Sequence, residues 1–470
     1  MTFFEMYEFR LKTESMPPYM NDVQEVVRAF SPYIVINDSA EALLEIGTFV
    51  SEKGFYFFAD CFSGREEYRL PSEGESDDPI EFKRRAKSAA KGYLYSYCNK
   101  LTGISLPYGS LTGVRPTAVY YRSIGSYSNI KEHLIKDYRV EPARAGLIER
   151  VVRSQSGLIN RDPLRADVFA NIPICPTRCS YCSFISAEYP RVRKLVPAYV
   201  EALADDIESI RQEIAEKGYS VGAVYVGGGT PTTLDEEMLS KILPRLNFGT
   251  EFTVEAGRPD TVTESKLAVM KASGVTRVSV NPQTFSDETL SRIGRRHTVA
   301  DFYRAFELAR SFGFDINVDL IAGLPGEDFS DFVRSLDLAL GLRPENLTVH
   351  SLSLKRGAVL KEGGASRRMD GAVKRMCDYS IEKLISSGYE PYYMYRQKNI
   401  ADGLENVGYA LNGKQCRYNI DYMEETTTVL SAGAGAVTKY VYGDEGRIER
   451  KSHAKGFEEY LRRAAERTKE

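Results

Sequence analysis

The chain has 470 residues, 43% of them hydrophobic and 27% charged, with a formal net charge of -3 at pH 7. This is the composition of an ordinary globular protein, and the length exceeds what one hydrophobic core usually organises, so we expect two or three domains. The near-neutral charge argues against wholesale nucleic-acid binding. No apolar run is long enough to span a membrane and the N-terminus does not resemble a signal peptide, so we expect a cytoplasmic protein.

Residues 1–163 alternate short β-like runs with amphipathic stretches, and they predict an N-terminal α/β domain of unknown role. Within this domain we predict strands over residues 3–11 and 33–36 and a helix over residues 22–30. A polar loop is predicted over residues 72–79.

Residues 164–368 alternate apolar strands with amphipathic helices, which is typical of parallel β/α units. The predicted strands cover residues 166–171, 223–226, 252–255, 277–280, 315–321 and 346–351. The predicted helices cover residues 198–217, 236–246, 264–272, 298–312 and 329–340. These strands predict a TIM-like (β/α) barrel, partial or complete, whose active site lies at the carboxyl ends of the strands.

Residues 369–470 predict a C-terminal α+β domain. It begins with a helix over residues 370–387, continues through a tyrosine-rich and then a glycine-rich stretch, and ends in an amphipathic helix. The fold class expected for the whole chain is therefore α/β, with a barrel core between two added domains.

Three of the seven cysteines crowd into one short stretch directly after the first barrel strand: Cys175, Cys179 and Cys182. The other four are isolated, as is typical of small buried hydrophobic residues. Thiolates bind iron–sulfur clusters or zinc. A structural zinc site usually has four ligands, and no further cysteine or histidine lies nearby in the sequence. Three thiolates that leave one iron open favour a cluster that also binds a substrate, with zinc as the alternative.

Glycine and acidic motifs follow the other predicted strands. Residues 226–231 read Val-Gly-Gly-Gly-Thr-Pro, and glycines at a strand end let the backbone approach a ligand closely. Glu255 ends the next strand, where a carboxylate can accept hydrogen bonds from a ribose or an ammonium group. Asp319 interrupts an apolar strand, and since burying it without a partner is costly, we expect a ligand or a basic neighbour there. A salt bridge across the barrel is the alternative for Asp319.

The spacing C-x-x-x-C-x-x-C, with Tyr181 before the third cysteine, resembles that of the radical S-adenosylmethionine superfamily. Together with the motifs at the strand ends, it resembles the oxygen-independent coproporphyrinogen III oxidase (coproporphyrinogen dehydrogenase) family. Residues 111–117, 395–399, 405–410 and 430–439 are most similar to the HemZ-type subgroup of that family, which carries an extra N-terminal domain.

This resemblance implies two kinds of cofactor. A [4Fe–4S] cluster is implied on Cys175, Cys179 and Cys182, and one molecule of S-adenosylmethionine at Gly228 and Glu255. A second molecule, which the well-studied branch of the family binds, is implied at a further set of residues: Tyr181, Gly229, Thr230, Gln283, Arg295, Asp319 and Ser353.

Three positions depart from the family pattern. Phe169 stands where the family usually has a tyrosine that contacts the first cofactor molecule, so that hydroxyl contact is lost. Ser183 precedes Phe184, whereas the well-studied oxidases have a further cysteine two residues after the third. Tyr418 stands where relatives that act as haem chaperones have a histidine, which disfavours a chaperone function.

The resemblance implies oxidative decarboxylation of coproporphyrinogen III in haem biosynthesis. An electron from a donor such as flavodoxin or ferredoxin reduces the cluster, S-adenosylmethionine is cleaved, and the resulting radical takes a hydrogen atom from a propionate side chain, which becomes a vinyl group. We expect this porphyrinogen at the barrel mouth, with Arg295 and Arg296 contacting its propionates. Two alternatives stay open, namely a haem-binding carrier and a radical enzyme that acts on another tetrapyrrole.

Overall fold

The computed structural model of this chain describes residues 6–71, 78–182, 187–355, 357–362, 369–443 and 447–467. The predictions on residues 3–5, 72–77 and 183–184 lie outside these ranges. Contacts within the chain divide it into two compact units. The first comprises Met1–Arg150, Arg367–Asp370 and Asp402–Leu404, and the second comprises Val151–Ser366, Gly371–Ala401 and Glu405–Glu470. The division into three domains, 1–163, 164–368 and 369–470, stays a prediction.

The strands of the first unit are β1 (Tyr7–Glu14), β2 (Ile34–Ile36), β3 (Leu43–Ser51), β4 (Gly54–Cys61) and β5 (Gly64–Arg69). The helices are α1 (Gln24–Ala29), α2 (Pro79–Thr102), α3 (Thr117–Ser123), α4 (Ile130–Tyr138) and α5 (Pro142–Gln155), which crosses the unit boundary in the sequence. The sheet has the order β2-β1-β3-β4-β5; β1 is parallel to β2 and β3, and β4 is antiparallel to both its neighbours. The predicted strands and helix of this region are confirmed where the structure describes them.

The second unit has a larger set of elements. Its strands are β6 (Arg165–Ile172), β7 (Ile174–Cys175), β8 (Ala187–Glu188), β9 (Ser220–Gly228), β10 (Glu251–Glu255), β11 (Arg277–Ser279), β12 (Asp315–Ala322), β13 (Asn346–Ser351), β14 (Glu390–Tyr395), β15 (Asn406–Ala410), β16 (Thr428–Ala432), β17 (Val437–Tyr442) and β18 (Arg447–Ser452). Its helices are α6 (Tyr189–Val192), α7 (Val196–Lys217), α8 (Glu236–Ile242), α9 (Glu264–Ala272), α10 (Asp287–Arg292), α11 (Val299–Ser311), α12 (Phe329–Gly341), α13 (Val359–Glu362), α14 (Ala372–Ser386), α15 (Arg417–Glu424) and α16 (Phe457–Arg467). In the part of the chain that the structure describes, no helix has the length and apolar character needed to cross a membrane.

Most of these strands form one sheet in the order β14-β15-β13-β12-β11-β10-β9-β6-β16-β17-β18. The strands from β16 through β6, β9, β10, β11 and β12 to β13 are parallel neighbours. Antiparallel strands extend the sheet at both edges, β15 and β14 at one and β17 and β18 at the other. The predicted α/β class with a core of parallel β/α units is confirmed. Within the described residues, no pairing between the edge strands closes the sheet.

Two of the helices that pack on the sheet begin with reciprocal capping boxes. In α11 the Thr298 side chain accepts from the backbone of Asp301, and the Asp301 side chain accepts from the backbone of Thr298. Asp328 and Asp331 form the same arrangement at the start of α12. A capping box fixes the first turn and the entry of the chain into the helix. The apolar face of α11, which includes Phe302, is buried, and the helix packs against β12.

At the amino ends of the parallel strands, a buried arginine connects several strands. Arg277 begins β11, and its Nη1 atom lies 3.0 Å from Oε2 of Glu251, the first residue of β10. Its Nε atom donates to Oδ1 of Asn346 at 2.9 Å, at the start of β13. Its Nη2 atom donates to the carbonyl of Lys414 at 3.0 Å. These contacts join the first residues of β10, β11 and β13 at the amino end of the parallel strands.

We predict that Arg277→Met lowers the free energy of unfolding by about 3 kcal/mol, because Glu251 then keeps a largely buried negative charge without its cation. Thermal unfolding followed by circular dichroism measures this change. The matched control is Arg304→Met, since Arg304 is 72% exposed in its ion pair with Asp301 and exposed pairs contribute little. An unfolding midpoint for Arg277→Met equal to that of the control would contradict the prediction.

Candidate active site

A cavity of about 380 Å³ lies among the parallel strands of the second unit and reaches their carboxyl ends. All of the site residues predicted from the sequence line it: Cys175, Cys179, Tyr181, Cys182, Gly228, Gly229, Thr230, Glu255, Gln283, Arg295, Asp319 and Ser353. Most of them lie at strand ends or in the segments that follow the strands, and Asp319 lies within β12. The alternation of parallel strands with helices therefore brings them to one place.

The cysteines lie on residues 173–182, which we call the cysteine loop, and hydrogen bonds fix this loop on two sides. The backbone N–H of Ser180 donates to the carbonyl of Ile293 at 2.9 Å. The carbonyl of Ser180 accepts from the backbone N–H of Leu360 at 3.0 Å. The loop is thus held between the segment before α11 and the segment at α13.

The glycine-rich end of β9 packs against the cysteine loop. Gly228 has a φ of 101°, a backbone conformation that favours glycine. A Cβ atom on Gly229 would lie 2.6 Å from the backbone nitrogen of Ile174. The backbone N–H of Thr230 donates to the carbonyl of Ile174 at 2.8 Å, and its hydroxyl donates to Sγ of Cys175 at 3.6 Å. The close approach that Gly229 allows is therefore to the cysteine loop itself.

Two buried arginines lie beside the cysteines. Nη1 of Arg258 is 3.8 Å from Sγ of Cys179 and donates to Oγ1 of Thr177 at 3.0 Å. Arg295 lies beside Cys179 and Tyr181, and its Nη1 atom donates to two backbone carbonyls. Its Nε atom is buried and has no hydrogen-bond partner among the described residues. The two guanidinium groups bring positive charge to the thiols, and the Nε atom offers a donor to a ligand.

Glu255, the last residue of β10, lines the cavity and accepts a hydrogen bond from Oη of Tyr225 at 2.6 Å. Burial raises the pKa of Glu255 to about 7; the hydrogen bond from Tyr225 opposes this rise and the nearby Asp319 adds to it. Tyr225 pairs in register with Phe169 of β6, and their ring centres are 6.4 Å apart. A hydroxyl group is therefore present next to Phe169, on the neighbouring strand.

Asp319 lies in β12 and is held by polar side chains around it. Nδ2 of Asn281 and Nδ2 of Asn317 each donate to its carboxylate at 2.8 Å. Nε2 of His350, on β13, lies 3.6 Å from its Oδ2 atom. Burial raises the pKa of Asp319, but the hydrogen bonds from His350 and Asn317 outweigh burial, and the pKa lies below its usual value. The basic neighbour expected from the sequence is therefore present, as a histidine.

Several polar side chains that line the cavity were not predicted from the sequence: Tyr225, Arg258, Asn281, Asn317 and His350. Arg258 follows Glu255 by three residues at the same strand end, which was a usable signal. His350 interrupts the apolar strand β13 much as Asp319 interrupts β12, which was a second signal. Tyr225 gave none, because its hydrogen bond joins two strands and no local pattern indicates such a contact.

Arg295 and Arg296 are neighbours in sequence but have different environments. Arg295 is 8% exposed and lines the cavity. Arg296 is exposed and lines a separate concavity, together with Arg178 and Arg191. Of the two arginines expected at the mouth of the barrel, only Arg295 therefore lines the cavity.

The donor chemistry of the cavity fits an iron–sulfur cluster. Three thiols line it, two guanidinium groups lie beside Cys179, and an unpartnered donor on Arg295 is available to a ligand of the cluster. Within the described residues, no three His, Cys, Asp or Glu side chains converge as they would around a single metal ion. In a four-iron cluster held by three cysteines, each thiolate binds a different iron and one iron stays open, so the ligands do not converge on one point.

Comparison with known proteins gives matches over the same region and beyond. Residues 172–339 match the family model described as the Radical SAM superfamily. The oxygen-independent coproporphyrinogen-III oxidase-like protein HemZ of Bacillus subtilis (strain 168) is 37% identical over 392 residues, which cover 78% of this chain and 78% of the relative. The haem chaperone HemW of the same organism is 31% identical over 281 residues, which cover 57% of this chain and 69% of the relative.

Among solved structures, the coproporphyrinogen III oxidase HemN of Escherichia coli, described as a radical SAM enzyme, matches with a TM-score of 0.53. The sequence identity is 22%, and the match covers 66% of this chain and 71% of that chain. At this identity the likeness shows a shared fold.

We predict that the Glu255 carboxyl titrates near pH 7, neutral below and charged above, and that Tyr225→Phe raises the midpoint. The reason is that Tyr225 donates to the carboxylate and so favours its ionised form. Infrared difference spectroscopy on protein with labelled glutamate, assigned with Glu255→Gln, measures the midpoint. Tyr440→Phe is the matched control, since it removes a hydroxyl that donates to a different glutamate, Glu213. A midpoint that stays or falls in Tyr225→Phe would show that this hydrogen bond does not control the charge.

Proposed function

Because the chain belongs to the radical S-adenosylmethionine superfamily and, within it, to the family of oxygen-independent coproporphyrinogen III oxidase-like proteins, we propose that it decarboxylates coproporphyrinogen III. A [4Fe–4S] cluster and S-adenosylmethionine are its cofactors. In the proposed reaction, propionate side chains of the substrate become vinyl groups and lose carbon dioxide without oxygen. One electron enters with each cofactor molecule cleaved, and one electron leaves with each carbon dioxide released.

The observation that carries this proposal is that thiols and acidic side chains share one cavity. Cys175, Cys179 and Cys182 lie on one part of its wall. Glu255, at the end of β10, and Asp319, within β12, also line the cavity, and their strands are separated in the sheet by β11. We assign the cluster to the three cysteines. When bound, the cluster and S-adenosylmethionine supply a radical that removes hydrogen from an unactivated carbon.

The predicted site residues other than the cysteines divide into two groups, one for each molecule of S-adenosylmethionine. Glu255, oriented by Tyr225, accepts hydrogen bonds from the ammonium group or the ribose of S-adenosylmethionine, and Gly228 lines the cavity for the same molecule. Charged Glu255 is the competent form, so affinity for this molecule falls as the pH drops below about 7. A second molecule of S-adenosylmethionine is assigned to the remaining residues of this set: Tyr181, Gly229, Thr230, Gln283, Arg295, Asp319 and Ser353.

A porphyrinogen that carries several propionates needs cationic partners. Lys355 follows β13 and lines the cavity, and its ammonium group has no hydrogen-bond or ion-pair partner among the described residues. We assign Lys355 to a propionate of the substrate. Tyr393 and Tyr395 also line the cavity and offer ring surface with a polar tip to a macrocycle.

The haem-carrier alternative has less support in the environment of Tyr418. This residue stands where chaperone relatives have a histidine, and it is 5% exposed. Its ring stacks on Tyr225 with a centroid distance of 4.7 Å and on Phe169 with a centroid distance of 6.1 Å. This packing favours a structural role for Tyr418, behind the cavity-lining Tyr225, over a role as a ligand to haem iron.

We predict that anaerobically reconstituted protein, supplied with S-adenosylmethionine and dithionite, converts coproporphyrinogen III into vinyl-bearing products. Liquid chromatography with mass spectrometry follows the loss of carbon dioxide and the formation of 5′-deoxyadenosine in the same samples. Cleavage of the cofactor with no change in coproporphyrinogen III would eliminate this substrate. Stoichiometric haem binding without conversion of coproporphyrinogen III would favour the alternative function of a haem-binding carrier.

Cysteine variants provide the control for this assay. Cys179→Ala should lose the cluster absorbance, cofactor cleavage and decarboxylation together, because a thiolate ligand is missing. Cys61→Ser changes a partly exposed cysteine of the first unit and should retain all three. If Cys61→Ser lost the cluster as Cys179→Ala does, the ligand assignment would be wrong.

A further inference from the structure

A second concavity, of about 620 Å³, is lined in part by Thr177 and Arg178 of the cysteine loop. Its charged side chains are Arg178, Arg191, Arg296 and Glu188, together with the buried Arg295. We call this surface the basic concavity. Arg178 precedes Cys179 in the sequence, so the same short loop lines the cavity with its cysteines and the concavity with its arginine.

The cysteine loop is held in place by hydrogen bonds to the segment that carries Arg296. Oγ1 of Thr177 donates to the carbonyl of Gly294 at 3.3 Å, and the backbone N–H of Ser180 donates to the carbonyl of Ile293 at 2.9 Å. These bonds join the loop to the residues just before Arg296. The basic concavity therefore borders the loop that carries the cysteines.

The charges of the basic concavity are poorly neutralised by the protein. The single carboxylate of the surface, on Glu188, pairs with Arg191 at 3.3 Å, and Arg191 is 78% exposed. Arg178 donates to the backbone carbonyl of Gly357 and meets no carboxylate among the described residues. Arg296 is exposed and has no hydrogen-bond or ion-pair partner there. A chain with a net charge of -3 thus carries a local positive surface, and such a surface attracts anionic partners over a distance.

We propose that the basic concavity docks a small acidic electron-carrier protein, whose electron passes through the cysteine loop to the cluster. The inference rests on the proposed placement of the cluster at Cys175, Cys179 and Cys182. Each encounter oxidises the carrier by one electron and reduces the cluster by one electron. Electron transfer falls steeply with distance, so a carrier must dock where the protein over the cluster is thinnest. Charge complementarity orients the carrier and raises its association rate.

The test reverses two of the exposed charges and leaves the loop untouched. The double variant Arg191→Glu/Arg296→Glu alters the basic concavity, and the double variant Arg304→Glu/Arg334→Glu changes the net charge equally. Arg304 and Arg334 are 72% and 59% exposed on α11 and α12 and do not line the concavity. Stopped-flow absorbance measures the rate of cluster reduction by reduced flavodoxin and by reduced ferredoxin. The reference reductant is photoreduced 5-deazariboflavin, a small uncharged molecule.

At low ionic strength the concavity variant should be reduced by the acidic carriers about tenfold more slowly than the native chain. The difference should shrink as salt screens the charges. Reduction by 5-deazariboflavin should be equal in all three proteins, which shows that the cluster is intact. An equal loss of rate in the control variant, no loss in the concavity variant, or no carrier-dependent reduction of the native chain would overturn the proposal. Because the readout is cluster reduction, the result is independent of whether coproporphyrinogen III is the substrate.

Discussion

The candidate site depends on how the second unit accommodates charge in a partly buried cavity. Thiols and carboxylates there must be able to carry negative charge, and a buried charge without a partner is costly. Arg258 and Arg295 bring positive charge to Cys179, while Glu255 and Asp319 are held by hydrogen-bond donors. Tyr225 and Asn281 lie on other strands or segments than the carboxylates to which they donate, whereas Asn317 lies on the same strand as Asp319. The site therefore exists only when the parallel strands are in register.

The same requirement distinguishes the two ends of the barrel core. At the amino ends, Arg277 and Glu251 neutralise each other, and further hydrogen bonds from Arg277 connect the strands. At the carboxyl ends, Glu255 has a hydroxyl partner, and the Nε atom of Arg295 has none among the described residues. Arginine and glutamate side chains thus pair with each other at the amino ends, whereas at the carboxyl ends they can still bind a ligand. Arg277 lines the same cavity, but its charge is paired within the protein, whereas the carboxyl end retains donors and acceptors for ligands.

Much of the barrel was predictable because hydrophobic periodicity is a local property. The helix predicted over residues 264–272 coincides with α9, and the predicted strands overlap β6, β9, β10, β11, β12 and β13. Most of the site residues were predictable because they end or follow strands, where parallel β/α units collect them, and Asp319 was predictable because it interrupts an apolar strand. Pairing between distant stretches was not predictable, because register belongs to the folded chain. Tyr225 illustrates this limit. Phe169 replaces a tyrosine of the family pattern and so lacks its hydroxyl, and only the register of the two strands shows that Tyr225 brings a hydroxyl next to Phe169.

A deuterium label on the substrate tests the proposed reaction most directly. Coproporphyrinogen III deuterated at the β-carbons of its propionate side chains would be incubated anaerobically with the reconstituted protein, S-adenosylmethionine and a reductant. If the chain removes hydrogen from these carbons, mass spectrometry finds one deuterium in the 5′-deoxyadenosine, in step with the formation of vinyl groups. 5′-Deoxyadenosine that forms without deuterium while the labelled substrate is present would contradict the proposed reaction.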